Sequence, residues 1–355
     1  MPSSEVRVAV APLTQLLSDL FTAEGVPLLG ASITAESLVS AEVEGISSHG
    51  IMLVPLYVDK LRAGGVMAAA QPSILEDLGG LVVVDAGHGL GQVSSQMAVN
   101  LAMVRAREHG LAMVSVRHGF HFGTAGFWVR RMAENGMVGL ALSNTRPLMP
   151  APGGAQRVVG NNPLAIGFPS AEGMPLIVDM AMSATAMGRI RLADAKGQAI
   201  PEGWATDDAG QPTTNAAEAI KGLLLPAAGP KGFGLAVAID LLCGAMSGGA
   251  FGSGVKPLYG PPEQHYDCAH AFICIDAARA GGGKGISQKV TAFANQIRSS
   301  SMATGSTRIY APGDLERARR EELSLGLSLP NSLIEQIDQL AQKAGLANRL
   351  QRLPS

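Results

Sequence analysis

The sequence has no excess of positive charge and no long hydrophobic run. Its 355 residues include 27 Lys and Arg against 29 Asp and Glu, which gives a formal net charge of −2. Nucleic-acid binding depends on clustered basic residues, so we expect no nucleic-acid partner. A membrane-spanning helix needs roughly 20 consecutive apolar residues, and no such run occurs, so we expect no membrane partner.

Cysteine is scarce and is not paired in sequence. The chain contains Cys243, Cys268 and Cys274, an odd number without C-x-x-C spacing. This usage predicts reduced thiols rather than a disulfide framework or a cysteine metal site. The start, MPSSEVRVAVAPLTQLL, lacks the uninterrupted apolar stretch of a secretory signal. We therefore expect a cytoplasmic protein.

Apolar periodicity divides the chain into three zones, and the length is sufficient for two domains. Residues 6–67 and the segment from Asp314 onward have the spacing of helices. Between them, strand-like runs alternate with Gly/Pro turns and with helical stretches at 94–109, 124–135 and 232–247. The strand-like runs are LVVVDA, LAMVSV, VGLALSN, LAIGFP, LIVDMA and AFICID. We expect the two helical ends to pack against each other.

The stretch LVVVDAGHGLGQ has the outline of a dinucleotide fingerprint. Its glycines at 87, 89 and 91 give GxGxG rather than GxGxxG, so the last glycine comes one position early. Glu108, at about the distance of a ribose-binding acid, lies inside the predicted helix instead of after a second strand. We interpret the stretch as an ordinary helix-entry turn. A Rossmann-type dehydrogenase remains the rival reading, and it would make Gly91 more important for cofactor affinity than Lys231.

Two histidines are candidates for proton transfer. His121, in HGFHFGTAG, ends a predicted strand just before a helix, where free N–H groups favour an anionic ligand. Imidazole exchanges protons near neutral pH. His49, in SSHGIMLVPLY, is by itself more typical of a structural residue. His118 and His121 form an H-x-x-H pair, but in a strand and loop they do not share a face, so we expect no metal site.

Polar turns follow several strands and could hold a nucleotide. Residues 143–145 (SNT) and 160–163 (GNNP) each combine hydroxyls, amides and backbone N–H groups. Asp179 ends an apolar strand, where a carboxylate needs a partner, and a histidine would satisfy it. Lys231 lies between Pro230 and Gly232 at a helix start, which suits a phosphate.

Six motifs in order make the chain similar to a known family. SSHGI, HFGTAGFW, SNTRPLMPAPGG, GNNPLAIGFP, VDMAMSATAMGRI and GPKGFGLAVAIDLLCGAMSGG together resemble the type 2 malate/L-lactate dehydrogenases, from about residue 8 to 345. That family includes ureidoglycolate, sulfolactate and diketogulonate dehydrogenases and cyclic-imine carboxylate reductases. The resemblance implies an α+β fold: a helical domain built from both chain ends (1–72 and 288–355) and a sheet-rich, non-Rossmann NAD(P)-binding domain (73–287).

The resemblance also implies a reaction and residue roles. The expected enzyme transfers a hydride between NAD or NADP and a 2-hydroxy or 2-oxo carboxylate, and it is a homodimer. His121 or His49 would be the acid/base, Asp179 a supporting carboxylate, and Ser48 and Tyr57 part of the substrate site. The cofactor would contact residues of the motifs FGTAG, SNT, GNNP and GPKG, namely Phe122, Gly123, Ser143, Asn144, Thr145, Gly160, Asn161, Asn162, Lys231 and Gly232.

Two departures from the family pattern leave the substrate open. Many relatives have an arginine one helical turn after the histidine of SHG, where it can clamp a carboxylate, but this chain has Leu53. Arg146 is a candidate replacement. Phe120 replaces the usual asparagine before HFG and predicts a more apolar pocket wall. These changes keep two alternatives open: a reductase of a cyclic 2-imino carboxylate, and a non-catalytic ligand-binding relative.

Overall fold

The protein is described by a computed structural model that covers residues 5–279, 285–346, 350 and 352–353. The helices are α1 (Val10–Ala23), α2 (Leu28–Val43), α3 (Val54–Ala63), α4 (Gly91–His109), α5 (Ala125–Glu134), α6 (Met187–Ala195), α7 (Ala216–Lys221), α8 (Pro230–Asp240), α9 (Ile286–Arg298), α10 (Asp314–Leu323) and α11 (Asn331–Lys343). The strands are β1 (Glu5–Val8), β2 (Ser73–Asp77), β3 (Leu81–Asp85), β4 (Leu111–Gly119), β5 (Met137–Ser143), β6 (Met149–Pro150), β7 (Arg157–Val159), β8 (Leu164–Phe168), β9 (Leu176–Met180), β10 (Ala205–Thr206), β11 (Pro212–Thr213), β12 (Leu223–Leu224), β13 (Cys268–Asp276) and β14 (Leu327–Pro330).

A mixed sheet of order β2-β3-β4-β13-β5-β8-β9 forms the centre of the molecule. β3 and β4 are parallel and are joined through α4, and the other neighbouring pairs are antiparallel. All six strand-like runs of the sequence lie in this sheet, so those predictions are confirmed. A doubly wound dinucleotide fold requires a mostly parallel sheet, which this is not. The α+β class is confirmed.

Helices cover both faces of the sheet. On one face, Val99 of α4 and Trp128 of α5 are fully buried in a cluster with Phe272 of β13. On the other face, Ile239 of α8 packs in a second cluster with Ala271 of β13. The predicted helices at 94–109 and 124–135 are confirmed as α4 and α5. The third, predicted over 232–247, is α8 followed by a π-helical turn at Leu241–Ala245.

The two chain ends share a third hydrophobic cluster. Leu17 of α1, Leu38 of α2 and Ile337 of α11 are completely buried in it, and Phe120 and Tyr266 from the sheet's end pack against the same group. The prediction that the helical ends pack together is therefore confirmed, while the domain boundaries after residues 72 and 287 stay a prediction. No helix among the described residues is long and apolar enough to cross a bilayer.

The helical prediction was wrong for two short segments of the ends. Residues 6–8 and 327–330 form β1 and β14, which pair antiparallel from Glu5 opposite Pro330 to Val8 opposite Leu327. The apolar residues here alternate (VRV and LSL), but each run is too short to distinguish a strand from a helix by periodicity. The pairing joins segments that are distant in sequence, so only the tertiary structure provides the backbone hydrogen-bond partners.

Gly91 has a packing role at the start of α4. A Cβ atom on this residue would collide with the carbonyl oxygen of Phe120 and come within 2.6 Å of the carbonyl oxygen of His121. Glycine thus lets the first turn of α4 approach the segment that carries His121. The GxGxG turn is explained by this contact, in agreement with the helix-entry interpretation.

Candidate active site

His121 lies in the short connection between β4 and α5, and Tyr57 of α3 holds its ring. The Tyr57 hydroxyl lies 2.8 Å from His121 Nδ1 and 3.1 Å from the His121 carbonyl oxygen. Gln92, at the start of α4, donates from Nε2 to the same hydroxyl over 3.1 Å. Tyr57 is completely buried. Its predicted place in the substrate site is corrected accordingly: it reaches the site only through the hydroxyl that contacts His121.

Hydrogen bonds hold the Nδ1 edge of the His121 ring. The backbone N–H of Gly123 points at His121 Nδ1 over 3.4 Å. Burial raises the pKa of Tyr57, so its hydroxyl keeps its single hydrogen, which has two acceptors within reach, Nδ1 and the His121 carbonyl oxygen. When this hydrogen goes to the carbonyl oxygen, the hydroxyl accepts from Nδ1–H, so Tyr57 can pair with either neutral tautomer. Nε2 has no hydrogen-bond partner among the described residues and is the ring nitrogen left for a bound molecule.

His49 lies beside His121 on a tight turn. The turn comprises two short 3₁₀ segments, Ser47–His49 and Ile51–Leu53. Ser48 is exposed, and its Oγ lies 2.9 Å from His49 Nδ1. The His49 and His121 ring centroids are 5.2 Å apart. The structure thus brings together Ser48, His49 and His121, three of the residues that the sequence assigned to one site.

Glu42 of α2, which the sequence analysis missed, organises this turn. Its carboxylate accepts hydrogen bonds from Ser47 Oγ at 2.5 Å and from the Ile51 backbone N–H at 2.9 Å. Any side chain at Gly50 would collide with the same carboxylate. An acidic residue inside an apolar helix, five residues before a serine, was the available signal. Buried carboxylates need such partners.

Both histidines are neutral at physiological pH. Burial lowers the pKa of His49 to about 4. Burial, followed by the charges of His49 and His270, lowers the pKa of His121 well below its ordinary value of 6.5. Both side chains remain partly accessible, so water moderates these shifts without changing their direction. A neutral imidazole can take up a proton from a bound molecule, and pass it back, without first losing a proton to solvent.

His270 of β13 contacts the segment that carries His121. The sequence analysis did not identify this residue. It is completely buried, with Nδ1 2.9 Å from Ser143 Oγ and Nε2 3.1 Å from the carbonyl oxygen of Phe120. Its ring stacks on Phe122 with a centroid distance of 4.5 Å and an interplanar angle of 3°. Phe122 and Ser143 were predicted to touch a cofactor, and this stays a prediction. Their side chains are buried against His270, which leaves their backbone atoms for such a contact.

Asn144 and Asn162 order the polar turns from inside the protein. Asn144 Nδ2 donates to Asp240 Oδ1 and to the Ala250 carbonyl, both at 2.9 Å, and its Oδ1 accepts from the Ala269 N–H. Asn162 accepts from the Thr145 N–H and donates to the carbonyl of Ala236. Neither side chain has any exposed surface. Their predicted contact with a cofactor stays a prediction, and in this structure their side chains position the turns.

Four other predicted cofactor residues lie at these turns or beside His121. Thr145 and Asn161 are partly accessible and are joined by a 3.0 Å hydrogen bond between Thr145 Oγ1 and Asn161 Oδ1. At Gly160, a Cβ atom would collide with Thr145 Oγ1, so glycine is needed where the turns meet. Gly123, at a φ of 84°, packs against Ser37 and presents its N–H to His121.

Lys231 lies exposed in the first turn of α8. It forms no ion pair with any residue that the structure describes. Gly232 follows it, and a Cβ atom there would collide with the carbonyl oxygen of Ala227. Ala227 in turn donates to the carbonyl of Met182, and Met182 donates to that of Asn161, over 2.9 and 2.8 Å. Hydrogen bonds thus connect the start of α8 to the GNNP turn.

Arg146 is a partly buried cation without a carboxylate partner in the described part of the chain. Burial, followed by the charges of Arg157 and Arg191, lowers its pKa. The guanidinium nevertheless stays protonated at pH 7, because the ordinary pKa of arginine is far above 7. Leu53, at the position of the family's arginine, has 1 % of its surface exposed and faces the hydrophobic core. Phe120 is likewise 1 % exposed. Its predicted place in the pocket wall is corrected, since it packs between Tyr57 and Tyr266.

Asp179 does not support either histidine. Its Oδ2 accepts a 2.8 Å hydrogen bond from the Gly126 backbone N–H, in the first turn of α5, and no contact with His49 or His121 is found among the described residues. The predicted carboxylate–histidine contact is therefore corrected. β9 ends at the α5 side of the sheet, where a helix N-terminus satisfies the carboxylate instead.

Asp179 lines a cavity of about 520 Å³ that contains neither histidine. The cavity lies between the start of α5, the end of β9 and residues 310–317, with Arg130 and Arg317 in its wall. Burial raises the pKa of Asp179 to about 6, and the negative charges of Glu44 and Glu316 add to this increase. The hydrogen bond from the Gly126 N–H opposes it. The side chain remains open to the cavity, so water moderates the shift.

Comparison with known proteins identifies the family. The malate/L-lactate dehydrogenase family model matches residues 8–338. The chain is 34% identical over 316 residues to (2R)-3-sulfolactate dehydrogenase (NADP(+)) of Chromohalobacter salexigens, covering 89% of this chain and 92% of that protein. It is 36% identical over 252 residues to the Delta(1)-pyrroline-2-carboxylate/Delta(1)-piperideine-2-carboxylate reductase of Pseudomonas putida, covering 70% and 73%.

A solved structure is similar over nearly the whole chain. The sulfolactate dehydrogenase from Methanocaldococcus jannaschii superimposes with a TM-score of 0.91 at 33% identity, covering 96% of this chain and 98% of that one. With the family model spanning both chain ends and the central sheet, the chain belongs to the malate/L-lactate dehydrogenase family and is an oxidoreductase.

Proposed function

We propose that the protein transfers a hydride between NAD or NADP and C2 of a 2-hydroxy or 2-oxo carboxylate, with His121 as the acid/base. The single observation that carries this proposal is the hydrogen-bond pattern of His121, in which Nδ1 is held by Tyr57 and Gly123 while Nε2 has no partner among the described residues. A positioned imidazole nitrogen protonates a carbonyl oxygen as it becomes an alkoxide when the ring is charged, and takes the proton back when the ring is neutral.

The nicotinamide cofactor, when bound, supplies or accepts the hydride. In the reductive direction, His121 in its charged form gives the Nε2 proton to the substrate oxygen and becomes neutral. In the oxidative direction, the neutral ring keeps its hydrogen on Nδ1, facing the Tyr57 oxygen, and accepts the hydroxyl proton at Nε2. His49 and the exposed Ser48 lie next to His121, so we assign them the exchange of that proton with solvent.

Arg146 is proposed as the residue that binds the substrate carboxylate. A guanidinium that is partly buried and lacks an internal carboxylate partner is stabilised when an anion binds beside it. Arg146 follows the end of β5, and Tyr266 precedes the start of the neighbouring β13. Tyr266 packs edge-on against Phe120 at 6.0 Å between centroids, and Phe120 packs on Tyr57 at 5.0 Å, so an aromatic row runs from this strand end to the residues that hold His121.

The cofactor is proposed to lie along the line from the start of α8 to the cavity of Asp179. Lys231, without an ion-pair partner in the described chain, suits the pyrophosphate, and the accessible Thr145 and Asn161 lie between. At the cavity, the Asp179 carboxylate suits a ribose hydroxyl. His121 and Gly126 are five residues apart, so they are separated by at most about 18 Å, within the reach of one extended dinucleotide.

The decisive experiment is NADH and NADPH consumption with a panel of substrates. Pyruvate, oxaloacetate and sulfopyruvate represent 2-oxo acids, and cyclic 2-imino carboxylates represent the alternative that is suggested by the similarity to the Pseudomonas putida reductase. Turnover of 2-oxo acids supports the proposal, and turnover of imines alone supports the alternative. Cofactor binding without turnover of either class would support a non-catalytic binding protein and overturn the proposal.

We also propose a cytoplasmic homodimer. All three cysteines are free and buried, as suits a reducing compartment. Leu28 and Leu29, at the start of α2, are 62% and 86% exposed, which is costly for adjacent leucines unless a second subunit covers them. Light scattering at micromolar concentration tests the dimer, and a mass of one chain would contradict it.

A further inference from the structure

Three metal-binding side chains meet at the end of the central sheet where β4 leads to His121, and His121 is not among them. His88, His118 and Asp267 each offer one ligand atom, and these atoms all lie within 4.8 Å of one another. His88 follows β3, His118 is near the end of β4, and Asp267 directly precedes β13, so three neighbouring strands contribute. No other such group of three occurs in the part of the chain that the structure describes.

Two of these side chains have polar atoms without partners. His88 Nδ1 and Asp267 Oδ1 are both shielded from solvent and form no hydrogen bond. Leaving a buried polar atom without a hydrogen bond is unfavourable. Two such atoms within one cluster, one an imidazole nitrogen and the other a carboxylate oxygen, suit a positively charged ligand between them.

Asp85 prepares His118 as a ligand. The Asp85 carboxylate oxygens lie 3.0 and 3.2 Å from His118 Nδ1, and Arg117 and the Gly87 N–H donate to the same carboxylate. The carboxylate accepts the Nδ1 hydrogen, so the Nε2 lone pair remains available to bind a cation. Metal-binding histidines usually donate their second nitrogen to a carboxylate or a carbonyl in this way.

The backbone at all three ligands is held in an uncommon conformation. His88, His118 and Asp267 have φ values of 57°, 50° and 56°, and among the described non-glycine residues only Ala228 shares this region. Such conformations are strained and persist where the surrounding structure holds them in place. Three of them in one cluster suit a site that orients its side chains at the cost of backbone strain.

We propose that His88, His118 and Asp267 bind one divalent transition-metal ion of the Zn²⁺ type, in a structural site that the sequence analysis did not expect. Two imidazole nitrogens and one carboxylate oxygen suit Zn²⁺, Co²⁺ or Ni²⁺ rather than Mg²⁺ or Ca²⁺. The three residues are partly accessible, so water completes the coordination. The sequence expectation considered His118 with His121, but His121 is engaged by Tyr57.

The ion would connect the helical part of the chain to the sheet. The His88 carbonyl accepts a 2.9 Å bond from the Met67 N–H, after α3. His265 stacks on His88 at 3.9 Å between centroids, and its Nδ1 donates to the carbonyl of Gly65. Fixing His88 therefore also fixes the segment that follows α3, so metal binding is expected to raise the melting temperature.

The test uses the full-length protein after dialysis against a chelator. Co²⁺ titration followed by visible absorption, and Zn²⁺ titration followed by calorimetry, should each give one site per chain, with no comparable heat for Mg²⁺. His88→Asn, His118→Asn and Asp267→Asn keep a residue that tolerates positive φ, and each should weaken binding at least tenfold. Asp85→Asn should weaken it about 10–100-fold through His118.

His109→Asn is the matched control, since His109 is 47% exposed and lies outside the cluster. It should bind Co²⁺ like the unmodified protein. Circular dichroism confirms that each variant is folded, and Asp85→Asn, which leaves all ligands in place, keeps the test valid if a ligand variant does not fold. The proposal is overturned if the unmodified protein binds neither Co²⁺ nor Zn²⁺ below millimolar concentration, or if the variants bind as tightly as the control.

Discussion

The hydroxyl of Tyr57 lies 2.8 Å from Nδ1 of His121, although the two residues are 64 positions apart in the chain. Gln92 donates to that hydroxyl, and the one hydrogen of Tyr57 can go to Nδ1 or to the His121 carbonyl oxygen at 3.1 Å. The pair engages Nδ1 in either tautomer and leaves Nε2 for the substrate, and the proposed chemistry depends on it.

Replacement of His121 removes the proposed proton donor. His121→Asn should lower kcat about 10²–10⁴-fold, because a positioned acid/base contributes that much, while NAD(P)H affinity stays within a few-fold. Steady-state kinetics and fluorescence titration measure the two effects. A lower melting temperature with near-normal turnover would assign His121 to the core and make His49 the better candidate.

Tyr57→Phe tests the positioning of His121. The phenylalanine ring still fills the site between Phe21 and Phe120. His121 Nδ1 loses its hydrogen bond to the hydroxyl, and the Gln92 amide loses an acceptor. We expect a decrease of kcat by about tenfold or more with an unchanged KM, and a stability loss of about 1–3 kcal/mol. An unchanged kcat together with that stability loss would mean that the hydroxyl has only a structural role.

Arg146→Leu tests recognition of the substrate carboxylate. Hydrogen bonds to charged groups are worth about 1.5–3 kcal/mol, so KM for a 2-oxo acid should rise roughly 10–150-fold with a smaller change in kcat. The amide of the same 2-oxo acid provides the control, because its KM should hardly change. Equal effects on acid and amide would exclude Arg146 as the carboxylate-binding residue.

Asp179→Asn separates a cofactor role from a histidine-supporting role. Asp179 bonds to Gly126 and lines the cavity, so the variant should raise the dissociation constant of the dinucleotide. The pH dependence of kcat should keep its acidic limb, because no histidine loses a partner. A shift of that limb to lower pH, at unchanged cofactor affinity, would show that Asp179 supports a histidine after all.

Acid should destabilise the protein through its buried neutral histidines. Burial lowers the pKa of His270 to about 4 from 6.5, so the unfolded chain binds the proton more readily than the folded one. The contribution is complete above pH 6.5 and is lost as the pH falls toward 4, to the extent of on the order of 3 kcal/mol. Urea unfolding at pH 7.5 and 4.5 measures the loss.

His270→Gln is the informative variant for this acid effect, with His109→Gln as the exposed control. The glutamine amide can still donate to the Phe120 carbonyl but does not titrate. The variant is expected to be less stable at pH 7.5 and to lose less stability between pH 7.5 and 4.5. If the His270→Gln variant and the unmodified protein lose the same stability between pH 7.5 and 4.5, His270 does not control the acid sensitivity.

Much of the architecture could be predicted because the relevant signals are local. Short apolar runs marked six of the seven strands of the central sheet, though not β2, and helical spacing marked α4 and α5, since burial is a property of a short segment. The order of six motifs identified the family. His121 was singled out by residue type and by its place at a strand end, whereas Ser48 and His49 were assigned to the site through the resemblance to the family.

Partners of individual side chains could not be predicted, because they come from distant segments. Asp179 was expected beside a histidine, but the position of β9 at the sheet's edge places its carboxylate at the N-terminus of α5. Asn144 looked like a nucleotide ligand, yet the adjacency of β5 and β13 encloses it among Asp240, Ala250 and Ala269.

The sequence by itself determined which segments form strands and helices, which family the chain belongs to, and which residues have the chemistry for proton transfer. Only the tertiary structure decided that Tyr57 orients His121, that Glu42 shapes the turn of His49, and that His88 meets His118 and Asp267. The physical reason is that the order of strands in the sheet, here β3-β4-β13-β5, sets which strand ends are neighbours. That order depends on packing of the whole chain, and no local pattern encodes it.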